Sequence, residues 1–577
     1  MLGFYAKWLA DYEDAQCPGK PGCPGGNDHG ALSSTIPFAK HVPPVDPSWP
    51  TSYCQIAMLL YKYSGDESVI KARYQSIKKY VDFLPTPTKC SSCKAPTNSI
   101  THPPGHPELL WYYMNGDWME YEGQPAELAE SGPLLSSYHY ILDVSLLGEM
   151  AEILGNTADS AKYKALAHSL WPVFNAVYLS HDHAPPSPPA GAVETCAESQ
   201  EIKKGGHSLQ LGCKAAGSVI DRVLFASFGS PSGSCASGFA HNASCDAPDF
   251  MPTVEKLCNN KRRCTLTPTV GPGGIIKRDP CTGTIKTLAV QVHCHSGSAP
   301  PPSPPAPPAQ PLFSYATPGQ AAGQLEQVVM LGRFPSGEEG PIPEEHRADV
   351  EQTLLNKLAE ADNHITTGFI GNKYAWPALS AMGQVHLALD IALGTTCPSY
   401  GYQVAQGATT LWENWSGTDV DDTSPMTGQG PSHNHHFLGG IGQWLQSDLV
   451  GLQQSRGSTA FSHPLIAPRI VNHTDLPHAA GRWDTPRGLL EVSWKFATGL
   501  VSLNVSTPPN TVATVIFPCK AEAIIEAATT AGWHGGEFTP GTSPGVEGAA
   551  LRTAGLDAGL VAFTAGGGSY EFSGQCI

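Results

Sequence analysis

A chain of 577 residues is too long for one ordinary hydrophobic core, so two to four domains are expected. Hydrophobic residues make up 41% of it, with 12 Trp, which argues against a chain disordered throughout. The formal net charge of −17 argues against nucleic acid, which needs clustered Lys and Arg, and no apolar run approaches the roughly 20 residues of a membrane helix.

The chain opens on "MLGFYAKWLADYEDAQ", where Phe4, Trp8, Leu9 and Tyr12 share one face at helical spacing. Lys7, Asp11, Glu13 and Asp14 interrupt any apolar run, so the stretch is not a signal peptide and reads as the middle of a folded domain. "QIAMLLYKYSG" and "SVIKARYQSIKKYVDFL" are further amphipathic helices. "PLLSSYHYILDVSLLGEMAEILG" places Leu135, Tyr138, Leu142, Leu146, Met150 and Ile153 near one stripe and ends at Gly155, a predicted C-cap. "DSAKYKALAHSLWPVFNAVYL" repeats the pattern with Tyr163, Leu166, Leu170, Phe174 and Val177.

Two Pro-rich stretches, "HAPPSPPAGA" (183–192) and "APPPSPPAPPAQP" (299–311), read as extended spacers. They bracket Cys196, Cys213, Cys235, Cys245, Cys258, Cys264, Cys281 and Cys294. No pair of matching CxxC motifs occurs there, so the block reads as a disulfide framework rather than a zinc site, and implies an oxidising compartment. Sequons at Asn242, Asn414, Asn472 and Asn504 fit that compartment. The block is either an inserted domain or the second of three domains in series.

Beyond it, "RADVEQTLLNKLAEAD", "PALSAMGQVHLALDIAL" and "FLGGIGQWLQSDLVGLQ" continue the helical texture, joined by long loops of the kind that carry function. After about Pro486, "GLLEVSWKFATGLVSLNVS", "TVATVIFPC" and "GLVAFTAGGGSYEFSG" alternate β-branched and aromatic residues between turns, a small all-β terminal domain.

One loop carries chemistry. "GATTLWENW" sets Glu413 between Trp412 and Trp415. Indole faces stack on the C–H faces of pyranoses, so a carboxylate between them reads either as a general base holding a water or as a packed core residue. A base of this kind needs an acid partner.

"GDWMEYEGQPAE", "HITTGFIG", "PSYGYQVAQGATTLWENW" and "HNHHFLGGIGQWL" together resemble glycoside hydrolase family 78, the α-L-rhamnosidases, over roughly 1–180 and 313–577 and in the family's order. The resemblance implies an (α/α)6 barrel with β-sandwich domains around it. It also implies an inverting, metal-independent hydrolase without cofactor, acting on terminal α-L-rhamnosides. Glu413 then matches the water-activating base. His435, 22 residues later in "SHNHH", matches a histidine that contacts the sugar near the base. Trp49 in "VDPSWP" and Trp118 in "NGDWM" match pocket-lining tryptophans. Asp117 orients a sugar hydroxyl or caps the segment that follows it, and Trp412 is a further substrate contact.

The cysteine block resembles a galactose/rhamnose-binding lectin domain of the sea-urchin-egg type, carried by "VLFASFGSPSGSC", "VEKLCNNKRRCTL" and "DPCTGTIKTLAVQVHC". The resemblance implies four disulfides stapling a small β-rich unit, with Asp279 either accepting a sugar hydroxyl or shaping a turn. Because the block interrupts a region the hydrolase family keeps continuous, insertion is favoured. The expected organisation is a first barrel part at 1–185, the lectin at 194–296, a linker at 297–312, a second barrel part at 313–485 and a β-sandwich at 486–577. Carbohydrate is the expected partner, with neither nucleic acid nor membrane, in an extracellular or secretory setting.

The sequence departs from both patterns. Pro50 and Thr51 follow Trp49 where the family carries an acidic residue. In the lectin, Ala197 follows the first cysteine where sugar-binding members carry Glu, and "SFGS" replaces a Tyr-Gly-Arg motif. The family's general-acid motif, of the type D-C-P-x-R-E-R-x-G-W-x-G-D, is not found; "DAQCPGK" holds only its Cys-Pro. Glu120, Glu122, Glu127 and Glu130 read as an acidic loop rather than a substitute acid. The expectation is a truncated chain or an incomplete gene model of a larger rhamnosidase. The competing expectation is a short protein that binds sugar without cleaving it.

Overall fold

A computed structural model describes residues 2–16, 30–32, 35–37, 47–86, 101–112, 116–117, 132–181, most of 194–296, 312–318, 322–332, 342–417, 431–520 and most of 533–575. Two compact units emerge. One is formed by Met1–Pro185, Pro311–Asp421 and Met426–Ile577, and the other by Pro186–Gln310 with Asp422–Pro425.

The first unit begins with helices α1 (Leu2–Ala15), α2 (Ser52–Ser64), α3 (Ser68–Phe83), α4 (Gly132–Ile153) and α5 (Thr157–Tyr178). On α1, Trp8, Leu9 and Tyr12 turn inward as their spacing predicts, whereas Phe4 is exposed. The stripe read on α4 is only part of its buried surface, because 18 of its 22 residues are buried. Its polar residues are therefore tied down. Ser137 donates to the carbonyl of Leu110, His139 Nδ1 lies 2.8 Å from the carbonyl of Leu135, and Asp143 accepts from Thr51 at 2.7 Å. Burying these groups without partners would cost about 1–3 kcal/mol each. Gly155 adopts φ +71 just past α4, the left-handed C-terminal geometry its position predicts, and Asn156 caps α5 by accepting from the backbone N–H of Asp159.

The inserted unit carries helix α6 (Phe250–Cys258) and a three-stranded sheet in the order Glu194–Gln200, Thr287–Ser296, Ser218–Gly229. Disulfides Cys213–Cys294, Cys245–Cys281 and Cys258–Cys264 staple it. Cys235, the Cys196 side chain, both Pro-rich spacers and Glu120–Glu130 lie outside the described residues.

The first unit resumes with α7 (Gln324–Leu331), α8 (Glu344–Glu360), α9 (Phe369–Ala381), α10 (Val385–Leu393) and α11 (Tyr400–Ala405). The helices of the unit share one apolar core running from Leu9 to Leu449. "PALSAMGQVHLALDIAL" is two helices rather than one. Pro377 lies inside α9, and Gly383 at φ +72 breaks the chain before α10. "FLGGIGQWLQSDLVGLQ" likewise splits into a 3-10 turn (Phe437–Gly439), α12 (Gly440–Trp444), a π turn (Leu445–Leu449) and a strand (Leu452–Gln454).

From Leu452 the chain builds two sheets. Five strands lie in the order Leu452–Gln454, Pro464–Ile466, Ala513–Lys520, Leu560–Ala565, Val546–Leu551. Four antiparallel strands run in the order His478–Thr485, Gly488–Ala497, Leu500–Thr507, Gly568–Gln575. Alternation places Leu490, Val492 and Trp494 inward with Val501, Leu503 and Val505, in one core with Val515, Phe517, Val561 and Phe563 of the other sheet. The predicted β texture is thus a β-sandwich.

Candidate active site

Two loops build the site. One follows α11 through Leu411 and Glu413, and the other runs through Ser432 and His435. They are laced antiparallel: Glu413 N–H donates to the carbonyl of Ser432 at 2.8 Å, and His435 N–H to that of Leu411 at 2.9 Å. The Ser432 N–H returns a 2.8 Å bond to Glu413 Oε2. Glu413 is therefore half-buried and held through one oxygen, while Oε1 has no protein partner among the described residues.

The two indoles beside Glu413 are packed rather than splayed. Trp415 is 2% exposed and meets Tyr400 edge-on. Trp412 stacks on His433 with centroids 4.5 Å apart. Gly417 lies against its other flank at φ +68, and a Cβ there would come within 2.3 Å of the ring, so only glycine fits. Trp412 lines a separate cavity of about 350 Å³ with Tyr402, Gln406, Thr410 and His433; Glu413 is not among its walls.

Around His435 the walls are aromatic. Its ring stacks on Phe369 (5.6 Å) and His436 (5.6 Å) and tilts against Phe437 (4.5 Å). Trp49 meets Phe369 at 6.4 Å and Phe437 at 5.8 Å, both edge-on. His435 Nδ1 accepts the N–H of Phe437 at 3.4 Å, so the neutral ring carries its hydrogen on Nε2. Burial lowers the imidazole pKa and the His436 charge adds to this, while the nearby Glu413 charge opposes it.

Asp117 stands behind this wall. Its carboxylate is buried and accepts three backbone N–H bonds at the start of α9, from Gly368 (2.7 Å), Ile370 (2.6 Å) and Gly371 (3.1 Å). Burial pushes the carboxyl up to about 7, and the three donors pull it back toward the charged form. Of the two roles read for Asp117, the observed bonds are those of a helix cap, on a helix some 250 residues downstream rather than on the segment that follows it. Gly371 permits this approach, since a Cβ would lie 2.8 Å from Asp117 Oδ2. Trp49 Nε1 donates to the neighbouring Gly116 carbonyl at 3.4 Å, tying the two loops together. Just after Trp49, where the resemblance leads one to expect an acidic residue, the buried Thr51 bonds Asp143, whose carboxyl burial raises to about 7.

The structure thus brings Glu413, His435, Trp49 and Asp117 into one neighbourhood through Phe369, and sets Trp412 to one side of it. Trp118 and Asp279 lie outside the described residues. Phe369 and Phe437 were not singled out from the sequence. Their signal was present, because both sit within strings that carry the resemblance, "HITTGFIG" and "HNHHFLGGIGQWL".

The family model for the bacterial alpha-L-rhamnosidase 6 hairpin glycosidase domain matches residues 1–203 and 336–449, more than half of the chain. That for the D-galactoside/L-rhamnose binding SUEL lectin domain matches 211–294, and that for the bacterial alpha-L-rhamnosidase C-terminal domain matches 451–532. An alpha-L-rhamnosidase of Formosa agariphila is 32% identical over 178 residues, covering 31% of this chain and 19% of that protein. The solved alpha-L-rhamnosidase of Dictyoglumus thermophilum superposes with a TM-score of 0.58 at 21% identity, over 100% of this chain and 44% of its own. That of Streptomyces avermitilis, complexed with L-rhamnose, gives 0.57 at 17% identity over 99% and 36%. The chain therefore spans less than half the length of these relatives, and the likeness of fold covers both the helical unit and the β-sandwich described above. On the match across its helical unit, the chain belongs to the family of the bacterial alpha-L-rhamnosidase six-hairpin glycosidase domain.

Proposed function

We propose that Glu413 is the general base of an inverting α-L-rhamnosidase site. The observation that carries this is its half-tethered carboxylate: one oxygen is fixed by Ser432 and the other has no protein partner among the described residues, beside a neutral histidine and an aromatic wall. In the reaction, a water oxygen bonds the anomeric carbon as the glycosidic C–O bond breaks. Glu413 takes the water's proton, and an acid gives one to the leaving oxygen. In inverting hydrolases the two carboxyls stand roughly 6.5–9.5 Å apart, with the water between them. No residue of this chain is assigned as that acid. His435 donates Nε2–H to a sugar hydroxyl, Trp49 and Trp118 stack on the pyranose, and Asp117 fixes the start of α9 so that Phe369 holds His435 in place. Trp412 belongs to an outer sugar contact on the neighbouring cavity.

Release of nitrophenol from an aryl α-L-rhamnoside, compared between the protein and Glu413→Gln, tests the reading. A loss of about 10²–10⁴-fold in kcat is expected. Equal activity of the two would overturn the assignment of the base.

A second reading rests on the lectin match at 211–294. There the inserted unit holds rhamnose- or galactose-bearing glycans, with Asp279 as a contact, whether or not the barrel cleaves them. Glycan-array binding that survives Glu413→Gln and falls with Asp279→Ala is its expected signature. The three disulfides favour an extracellular or secretory setting. Among the described residues, no helix is long and apolar enough to cross a membrane.

A further inference from the structure

Away from the Glu413 loops, one group of three metal-capable side chains converges among the described residues. It consists of His386, Asp390 and His473, whose ligand atoms all lie within 4.8 Å of one another. The placement follows from local structure. His386 and Asp390 are four residues apart on α10, hence on one face, and His386 Nδ1 lies 3.1 Å from Asp390 Oδ2. His473 comes from the segment between strands Pro464–Ile466 and His478–Thr485, and its Nε2 lies 3.1 Å from the other oxygen, Asp390 Oδ1. The two imidazole centroids are 4.8 Å apart. His473 is nearly buried, its side chain 6% exposed, whereas those of His386 and Asp390 are 59% and 55% exposed.

We propose that His386, Asp390 and His473 form a zinc site that pins α10 to the chain entering the four-stranded sheet. Two imidazoles and a carboxylate are the donor set that Zn²⁺ takes. With ligand bonds near 2.0–2.1 Å, tetrahedral donors lie roughly 3.3 Å apart. Each imidazole stands 3.1 Å from a different oxygen of Asp390, and all three ligand atoms lie within 4.8 Å of one another, so a turn of the carboxylate and the exposed His386 ring closes the set on one ion. The open side at His386 and Asp390 leaves positions for water. An outer partner is present as well, since the Asp475 carboxylate lies 3.9 Å from His473 Nδ1. At present Nδ1 accepts the Asp475 backbone N–H at 3.2 Å. Coordination through Nε2 moves the ring hydrogen to Nδ1, where Asp475 Oδ2 accepts it, the arrangement common around ligating histidines. The site is structural and separate from the rhamnosidase chemistry, which remains metal-independent in the reading above.

The test is titration of the EDTA-stripped full chain with ZnCl₂ by calorimetry, with the melting temperature followed in parallel. Because the chain holds 22 histidines, the readout is the change in site number and affinity between variants. The wild type binds one Zn²⁺ that His386→Gln and Asp390→Asn each lose or hold at least about tenfold more weakly, and Asp475→Asn weakens it about tenfold. The zinc-dependent rise in Tm disappears in the same variants. His386 is exposed, so its replacement leaves the fold intact and isolates the metal effect. The proposal is overturned if the wild type binds no zinc, or if His386→Gln and Asp390→Asn bind it with unchanged number and affinity; the triad is then a hydrogen-bonded link only.

Discussion

Two carboxylates of the helical unit, Asp117 and Glu413, meet opposite surroundings. Asp117 is buried, and both its oxygens are taken by three backbone donors of α9. Glu413 is half-exposed and spends one oxygen on Ser432. A carboxylate with every lone-pair direction committed to backbone holds architecture, whereas one with an uncommitted oxygen at a surface is free to take a proton. Sequence motifs flag both equally; donors and burial tell them apart.

The sharpest way to break this contrast is a pair of substitutions read by two assays. Glu413→Gln is expected to lower rhamnoside hydrolysis by about 10²–10⁴-fold with little change in Tm. Asp117→Ala is expected to do the reverse in kind. It strands three buried N–H donors at the start of α9 and costs on the order of 3 kcal/mol, read by chemical denaturation. If Glu413→Gln destabilises as much as Asp117→Ala, the division of roles is wrong.

Asp117 also sharpens the contrast through pH. Its carboxyl is raised to about 7 in the folded state against an ordinary value of 3.8. A raised pKa means that the folded chain binds the extra proton between those values, so this stabilising contribution is present below pH 4 and lost as pH rises through 7. Relative to Asp117→Asn, the wild type is therefore expected to lose stability from about pH 4 to 7, at a slope approaching 1.4 kcal/mol per pH unit. A flat difference across that range would show that the three N–H donors cancel the effect of burial.

Much of this was legible in the sequence, for identifiable reasons. Strings such as "GATTLWENW" and "HNHHFLGG" sit in loops, where side-chain contacts such as the Glu413 carboxylate on the Ser432 N–H and the Trp412–His433 stack demand particular residues at particular spacings. The sandwich strands were legible because inward Val492, Trp494, Val501 and Leu503 alternate with exposed neighbours. The partner of Asp117 was not, since its donors lie about 250 residues away and are backbone groups that any residue but proline carries. The break between α9 and α10 was hidden by apolar periodicity continuing across Gly383, although its φ of +72 marks the end of a helix. Nor did the stripe on α4 reveal a helix buried on nearly every side, because Ser136, Ser137, His139 and Asp143 are polar residues whose burial depends on hydrogen-bond partners that helical spacing does not show.

Gly417→Ala probes the Glu413 side of the comparison at its support. The added Cβ meets Trp412 at a left-handed φ, and a cost of about 1–3 kcal/mol is expected by thermal or chemical unfolding. A variant as stable as wild type would mean that the Trp412–His433 stack is adjustable and does not brace the loop.

The smallest expected effect concerns His435, and its direction is fixed by a proton. Its pKa is lowered below the ordinary 6.5, chiefly by burial, so the neutral ring predominates at neutral pH. Its Nδ1 accepts Phe437 N–H, leaving Nε2–H as the donor for sugar. His435→Gln keeps a donor but loses the ring stack on Phe369 and Phe437, and a fall of about tenfold in kcat/KM, or about 1.4 kcal/mol, is expected near pH 7.5. As pH falls through the lowered pKa, the wild-type ring gains a proton on Nδ1, which then faces the Phe437 N–H and can no longer accept it. The ratio of wild type to His435→Gln should therefore shrink toward one with acidity, while any protonation of Glu413 common to both chains cancels in the ratio. A ratio that stays at ten across the acid limb would place His435 in packing alone and leave Glu413 without a titrating neighbour.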